Sequence, residues 1–577
     1  MPLTVFAAAR EAAVRFLDDA TPGFAARAQV PAPDGSADVW KLTAESAVAG
    51  ITEIQLALPP SFPSTSPNVF IIGEAARRLP HMEEHSRVCL NVETFGTDYD
   101  HPHEPIRRTL IALEEFLRHC DDPAWVRAEF LKEAALYWGR FCEVEAKKYK
   151  RATVPRGVVL FDDISQTSEG RLEIQSGRNG AGRWAYVAAK DPGKHLQRHQ
   201  LSIEGADRAR LLFIRLADDG VWMPGEWPKN YAELELFARE RHPDAASFFE
   251  RRNGRGKGSG RKLVTDRFVL IATRQGAYAY QLREATLPLL EPPYSLPLQV
   301  VRMDTQWCLT RDENTSQFNR RQVKRVVVFG AGSLAAPTVD LLARAAVGHI
   351  DVVDFDLLEP ENVARHSLGL DCVGMNKAKA LASRAMQQIP GVQVNGFAQR
   401  AEQWLADQKS LGGIDVVVDL TGAGDVRILL SRVTQAGELK VPLVIGWMEP
   451  FGSAAHVVTL VGGDRWPDDD PVDALAAAAW PPETEIRLPG CGSGFHPYGA
   501  SDAARAAALV VEKVLDALDG KAVQSSVSSF RREDDYLADL PVATKMRSWS
   551  HEAPVARGTY IEREYKELFQ SSLHGTG

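Results

Sequence analysis

The stretch Arg325–Asp356, RVVVFGAGSLAAPTVDLLARAAVGHIDVVDFD, decides the fold of this chain. A run of β-branched and aromatic residues, Val326 to Phe329, leads into the glycine-rich turn Gly330-Ala331-Gly332. Apolar residues at helical spacing follow, and a second strand ends at Asp354. Strand, turn, helix and strand in that order make a βαβ unit, which places its two strands in parallel. Two later runs, IDVVVDLTG at Ile414–Gly422 and VPLVIGW at Val441–Trp447, have the continuous apolar character of strands covered on both faces. The expectation for residues 316–577 is a doubly wound, Rossmann-like α/β sheet.

The turn itself, Gly330-Ala331-Gly332-Ser333-Leu334-Ala335, fits the G-x-G-x-x-G/A pattern. Glycines let the backbone turn tightly and approach phosphate at a helix N-terminus, and a carboxylate at the end of the next strand can accept from ribose hydroxyls. What comes next separates hydride chemistry from nucleotidyl chemistry. VVDFDLLEPENVARHSLGLDCVGMNKAKA places Asn362, Arg365 and Lys377 just beyond that carboxylate. A dehydrogenase has no need of such cations. Attack of a carboxylate on the α-phosphate of ATP does, because charge grows on phosphoryl oxygens.

These residues resemble the adenylation domain of ubiquitin-activating enzymes and their bacterial sulfur-carrier relatives (the ThiF, MoeB and HesA type). The resemblance implies that Gly330 and Gly332 border the ATP phosphates and that Asp354 or Asp356 meets the ribose. It implies further that Asn362, Arg365 and Lys377 contact the phosphates, and that an upstream arginine, Arg320 or Arg321, reaches into the partner of a homodimer. The family's Mg²⁺ aspartate would fall near Gly422, so the flanking Asp419 and Asp425 are the metal candidates.

Outside that region, six cysteines stand singly, with no C-x-x-C pair, which points to neither a zinc ribbon nor a disulfide framework and fits a reducing cytoplasm. Two of them stand out. Cys491 lies between glycines in RLPGCGSGFHPYGASDAARAAALVVEKVLDAL, shortly before a helix expected to be capped near Ser501 or Asp502, where the helix dipole favours a thiolate. It resembles the catalytic cysteine of activating enzymes, on a crossing segment near 463–500. Cys89 follows a strand, a proline-rich turn, the strand Val69–Ile72 and PHMEEHSRVCL, and precedes a helical pattern. That order resembles the ubiquitin-conjugating fold, with Cys89 as thioester carrier and His81 where the family's His-Pro-Asn motif begins. Met82 and Glu83 replace its proline and asparagine, so the oxyanion donor is missing or comes from elsewhere, with His81 the nearest candidate.

Length and composition frame the rest. At roughly 150 residues per domain, 577 residues suggest three to four domains. With 45% hydrophobic and 25% charged residues the chain is of ordinary globular composition, and 67 basic against 76 acidic side chains give −9, too acidic for a protein whose main partner is nucleic acid. No apolar run reaches the length of a membrane span. The expected division is a ubiquitin-conjugating-like α+β domain at 1–150, a mixed middle domain at 151–315 and the adenylation domain at 316–577. Helices are expected at 5–17, 106–117 and 124–148, and the Arg251–Lys262 run RRNGRGKGSGRK reads as a solvated loop.

Taken together, the two resemblances point to a fusion like the ubiquitin-transfer-like proteins of bacterial antiphage (CBASS) operons. They imply MgATP-dependent adenylation of the C-terminus of a cGAS-like nucleotidyltransferase or a ubiquitin-like protein. Thioesters on Cys491 and then Cys89 follow, with conjugation to a lysine or other amine. The alternatives are a sulfur-carrier adenylyltransferase and a scaffold with a degenerate nucleotide fold.

Overall fold

The structure is a computed structural model that describes residues 4–19, 25–28, 31–32, 35–36, 38–43, 48–148, 157–161, 173–179, 182–188, 207–216, 222–250, 267–273, 276–283, 293–310, 315–481, 484, 496–542 and 545–547. The chain divides into two compact units. The first holds Met1–Leu160, Ile164–Pro192 and Glu204–Val301; the second holds Phe161–Asp163, Gly193–Ile203 and Arg302–Gly577.

The first unit opens with helix α1 (Thr4–Asp18) and an antiparallel sheet in the order β1 (Ala25–Arg27), β2 (Val39–Leu42), β3 (Ile51–Ala57), β4 (Asn68–Gly73) and β5 (Arg87–Val88). One face of this sheet, through Ile54, Val69, Ile71 and Val88, packs on Leu113, Phe116 and Leu117 of helix α2 (His103–His119). The helix expected over 124–148 is two helices, α3 (Pro123–Lys132) and α4 (Ala134–Lys148). The break falls at Glu133, whose backbone leaves the helical region and whose carboxylate accepts from the Tyr137 hydroxyl at 2.8 Å.

Downstream, seven strands close into a barrel in the order β10-β11-β12-β6-β8-β7-β9. They are β6 (Gly157–Leu160), β7 (Glu173–Asn179), β8 (Gly182–Ala188), β9 (Asp207–Arg215), β10 (Arg267–Ala272), β11 (Ala277–Arg283) and β12 (Tyr294–Arg302). The barrel does not stand apart from the helices before it. Phe130, Tyr137, Trp138 and Cys142 share one apolar cluster with Leu212, Ile214, Trp222, Trp227, Tyr278 and Tyr280, and the Trp138 indole donates to the Leu298 carbonyl at 2.8 Å. The change of composition near residue 150 is thus crossed by a common core. The basic loop at 251–262 lies outside the described residues.

The second unit is the doubly wound sheet. Its order is β15 (Gln393–Phe397), β14 (His349–Val353), β13 (Arg325–Phe329), β16 (Val416–Asp419), β17 (Leu443–Met448), β18 (Ala454–Leu460), β20 (Ser526–Arg531), the first five strands parallel and the last two pairings, β17 with β18 and β18 with β20, antiparallel. A short pair, β19 (Ala478–Ala479) with β21 (Lys545–Met546), lies beside it. Val326 to Phe329 are wholly buried, as a strand covered on both faces requires, each such side chain contributing about 1.5–3 kcal/mol. Helices α6 (Ala335–Arg344), α7 (Lys377–Gln388) and α9 (Ala500–Leu518) cover one face; α8 (Gly424–Gln435) lies on the other. Helix α5 (Tyr231–Arg241) belongs to the barrel unit. The chain order reverses between β13 and β16, and a ligand of such a sheet sits outside the strand ends at that point. Among the described residues, no helix is long and apolar enough to cross a membrane.

Candidate functional site: a nucleotide cleft and a cysteine hairpin

At the reversal point lies a cleft of ≈ 320 Å³ lined by Gly330, Gly332, Asp354, Asp356, Lys377 and Asp425 among others. Gly330 adopts φ 97, and a Cβ there would come within 3.0 Å of the Leu420 carbonyl, so only glycine fits; at Gly332 the space is open. Asp354 braces the turn. Its Oδ2 accepts from the Ala331 N–H at 2.6 Å and its Oδ1 from the Asp356 N–H at 2.8 Å. Burial pushes its carboxyl above the usual range, against those two hydrogen bonds. Each oxygen keeps a second lone pair, which leaves room for a ribose hydroxyl.

Lys377, the first residue of α7, is largely buried with its Nζ 3.2 Å from Asp356 Oδ2. Asn362 and Arg365 are not among the residues lining the cleft. The Asn362 carboxamide accepts from the Glu359 N–H at 3.2 Å, and the Arg365 guanidinium lies 5.3 Å from the centre of the Tyr498 ring, whose hydroxyl meets Ser333. The two upstream arginines separate. Arg321 is held by Asp519 through Nε and Nη2 at 3.0 and 2.7 Å, while Arg320 is exposed.

The carboxylates proposed for a metal also differ. Asp425 lies in the first turn of α8 and lines the cleft. Asp419 is buried; its Oδ1 accepts from the Thr421 N–H and hydroxyl at 3.0 and 2.7 Å, whereas its Oδ2 has no hydrogen-bond partner. Burial pushes its carboxyl up. Gly422 sits at φ 71, a conformation that favours glycine over aspartate at this turn. Among the described residues there is no cluster of three or more His, Cys, Asp or Glu side chains poised for a metal.

His366 escaped the sequence reading. Its Nδ1 accepts from the Leu368 N–H at 3.0 Å, which leaves the proton on Nε2 to donate to the Ala331 carbonyl at 2.6 Å. Burial holds the ring below its ordinary pKa, hence neutral. The only signal was its place directly after Arg365.

Cys491 lies outside the described residues. The backbone on either side is tied to one turn: buried Glu449 accepts from the Ala477 N–H and the Trp480 indole at 2.5 and 2.7 Å, and the Phe451 N–H donates to the Pro497 carbonyl. Glu449 also meets His456 at 2.6 Å. Beyond it, α9 starts at Ala500 with Gly499 as its cap, whose N–H donates to Asp502 at 2.9 Å.

In the first unit, residues 81–89 form a tight hairpin. The Cys89 N–H donates to the His81 carbonyl at 2.8 Å, Met82 bridges Val88, and the Glu83 N–H donates to the Arg87 carbonyl at 2.6 Å. Met82 and Val88 are buried on one face, while Cys89 is exposed. Cys142 is buried and Cys120 partly so; burial pushes the Cys142 thiol up and raises Cys120 to about 12. His81 sits at φ 56, with Nε2 3.1 Å from Glu129 and Nδ1 3.3 Å from Glu133. Both ring nitrogens are turned to carboxylates, so its side chain braces the hairpin against α3 and the α3–α4 junction. Asp98 is buried and paired with Arg108 at 2.6 Å.

Residues 309–530 match the ThiF family. Over 244 residues, 39% of this chain and 41% of the relative, the sequence is 26% identical to the ATP-dependent ubiquitin transferase-like protein Cap2 of Pseudomonas aeruginosa. The Cap2 of Vibrio cholerae is also 26% identical, over 38% of this chain and 40% of its own. The SAMP-activating enzyme E1 of Haloferax volcanii is 36% identical over 23% of this chain and 49% of its own. The matched stretch thus spans about two fifths of the length of the Cap2 relatives. Among solved structures, PaaA aligns with a TM-score of 0.30 at 16% identity, covering 40% of this chain and 66% of that one. The glycine turn, Lys377 and the cleft at the sheet's reversal point all lie within residues 309–530, the stretch of this chain that matches the ThiF family.

Proposed function

We propose that this chain activates the C-terminal carboxylate of a protein partner with ATP and conjugates it to an amine, as a fused activating and conjugating enzyme. The observation that carries the reading is the presence, in one chain, of a lysine-lined glycine cleft in a ThiF domain and an exposed cysteine on a braced hairpin. The partner's carboxylate attacks the α-phosphorus of ATP and pyrophosphate leaves. The Cys491 thiolate then attacks the acyl-adenylate and AMP leaves; exchange onto Cys89 frees Cys491, and a lysine amine finally displaces Cys89 to form an amide. Each thioester divides one hard acyl transfer into easier steps.

On this reading Lys377, which lines the cleft, meets the charge that grows on the phosphates, Arg365, stacked near Tyr498, and Asn362 assist, and exposed Arg320 reaches a second copy in a homodimer. Asp425 and the unpartnered Oδ2 of Asp419 suit Mg²⁺, which takes one or two carboxylates and neutralises phosphate charge. The likeness to the ATP-dependent ubiquitin transferase-like protein Cap2 supports the ubiquitin-transfer-like chemistry; on this reading the partner is a cGAS-like nucleotidyltransferase or a ubiquitin-like protein and the role is antiphage defence. On this reading 1–150 is the conjugating-like domain, carried by Cys89 on its hairpin, 151–315 an intervening domain and 316–577 the adenylation domain, the last supported by the ThiF match over residues 309–530.

The test follows the acyl group. With MgATP and such a partner, Cys89 should acquire a reductant-sensitive adduct; Cys491→Ala should still adenylate but form no thioester, and Cys89→Ala should stall with the acyl group on Cys491. Lys377→Ala should lower partner-dependent ATP–pyrophosphate exchange about 100-fold or more. Adenylation without any adduct on Cys89 would leave a sulfur-carrier type of activator instead.

A further inference from the structure

Attack of an amine on a thioester puts a negative charge on the carbonyl oxygen, and a reaction centre of this kind needs a preplaced donor. Glu83, two residues beyond His81 in the hairpin, is an acceptor, and His81 has both nitrogens turned to Glu129 and Glu133. Neither of these side chains offers a donor, and the paired strand β4 brings another polar side chain to the cysteine.

The register identifies it. β5 pairs antiparallel with β4, Val69 opposite Val88 and Phe70 opposite Arg87. One step further along, Asn68 stands opposite Cys89. Side chains opposite one another in an antiparallel pair share a face with Cβ atoms about 5 Å apart. Val69 and Val88 turn inward to α2, so Asn68, Cys89 and Arg87 share the other face. Cys89 is consequently flanked by His81 on one side and Asn68 on the other.

The Asn68 carboxamide is also oriented. Arg87 Nη1 donates to Asn68 Oδ1 at 3.3 Å, along the diagonal between strands, and Arg87 is itself fixed by Glu83, which takes its Nε at 2.5 Å and its Nη2. With the carbonyl end of the amide committed to Arg87, the NH₂ end points away from it.

We propose that Asn68 is the oxyanion donor for acyl transfer from Cys89, with Arg87 as the positioning residue that sets its amide. This rests on the reading of Cys89 as the thioester carrier. In the step concerned, the amine nitrogen bonds to the carbonyl carbon while Asn68 Nδ2 donates to the oxyanion. The intermediate collapses with cleavage of the C–S bond, the Cys89 thiolate leaves, and the amine proton passes to solvent.

The experiment needs no natural partner. The full chain is acylated at Cys89 by exchange with a short peptide α-thioester ending in glycine; Cys89→Ala serves as the blank and the site is mapped by mass spectrometry. Discharge to free lysine is then followed in a single turnover. Asn68→Ala and the near-isosteric Asn68→Asp, which has no N–H to give, should both slow discharge about 100-fold. Each variant is brought to the same extent of loading before lysine is added, and thermal unfolding should stay at the parent value. Arg87→Met should show a smaller loss and Arg87→Lys partial recovery. Discharge at the parent rate in both Asn68 variants would overturn the assignment alone. A parent whose loaded Cys89 discharges no faster than the free peptide thioester would overturn the conjugating reading, and this inference with it.

Discussion

The glycine turn of the second unit and the cysteine hairpin of the first both require backbone in the left-handed region, and they obtain it by opposite means. At the turn the residue is Gly330, for which φ 97 carries no side-chain strain, bedded on wholly buried parallel strands. At the hairpin the residues are His81, His85 and Ser86, at φ 56, 58 and 65. Such conformations cost of order 1–3 kcal/mol each in ordinary residues and persist only where surroundings enforce them. Here the enforcement comes from Glu129 and Glu133 on His81 and from Glu83 against Arg87. The first geometry resides in the backbone and the second in side-chain partners.

Breaking each device in turn tests that difference. The largest effect is expected from Gly330→Ala, which adds a Cβ at 3.0 Å from the Leu420 carbonyl in a left-handed conformation. ATP affinity, read by calorimetry, should fall by roughly 2 kcal/mol, about 30-fold, with the sheet still folded. A smaller change, about 1–2 kcal/mol in the denaturant midpoint of the first unit, is expected for His81→Ala. Discharge from Cys89 should then fall far less than in Asn68→Ala; an equal fall would make His81 a chemical group rather than a brace.

The smallest effect is a split in acid. The folded pKa of His366 lies below the ordinary 6.5, chiefly through burial, so its contribution is complete above 6.5 and is lost as pH falls through the lowered value. Glu129 behaves likewise one window lower. Burial opposes its charge, but Lys132 and His81 outweigh that and hold it below 4.5, so its contribution is lost only as pH falls further. ATP affinity should therefore weaken at a higher pH than the hairpin unfolds, and His366→Ala should flatten that limb.

The same difference explains what could be read in advance. The α/β sheet was legible because continuous valine runs, a glycine turn and local βαβ order all act over short stretches of chain. Of the barrel, GVVLFDD, RLLFIRL and RFVLIAT announced β6, β9 and β10, but closure depends on pairings such as β9 with β10 and β6 with β8 that no local pattern encodes. Cys89 and His81 were visible by spacing, whereas Glu129, 48 residues from His81, was not. Gly422 was noticed as a missing carboxylate; its φ of 71 gives the physical reason. The two candidate arginines could not be separated until Asp519, 198 residues away from Arg321, was seen to hold it.

The aromatic cluster around Trp138 has a bearing on how such a chain could be rearranged in evolution. Helices α3 and α4 and the junction between them present Glu129 and Glu133 to the cysteine hairpin from one side and Phe130, Tyr137 and Trp138 to the barrel from the other. A recombination event that cut near residue 150 would carry off the hairpin with its brace but strip the brace of its foundation, leaving indole and phenyl surface in water. The heritable module is accordingly the sheet together with the barrel, and homologous fusions should exchange or lose the two as one piece.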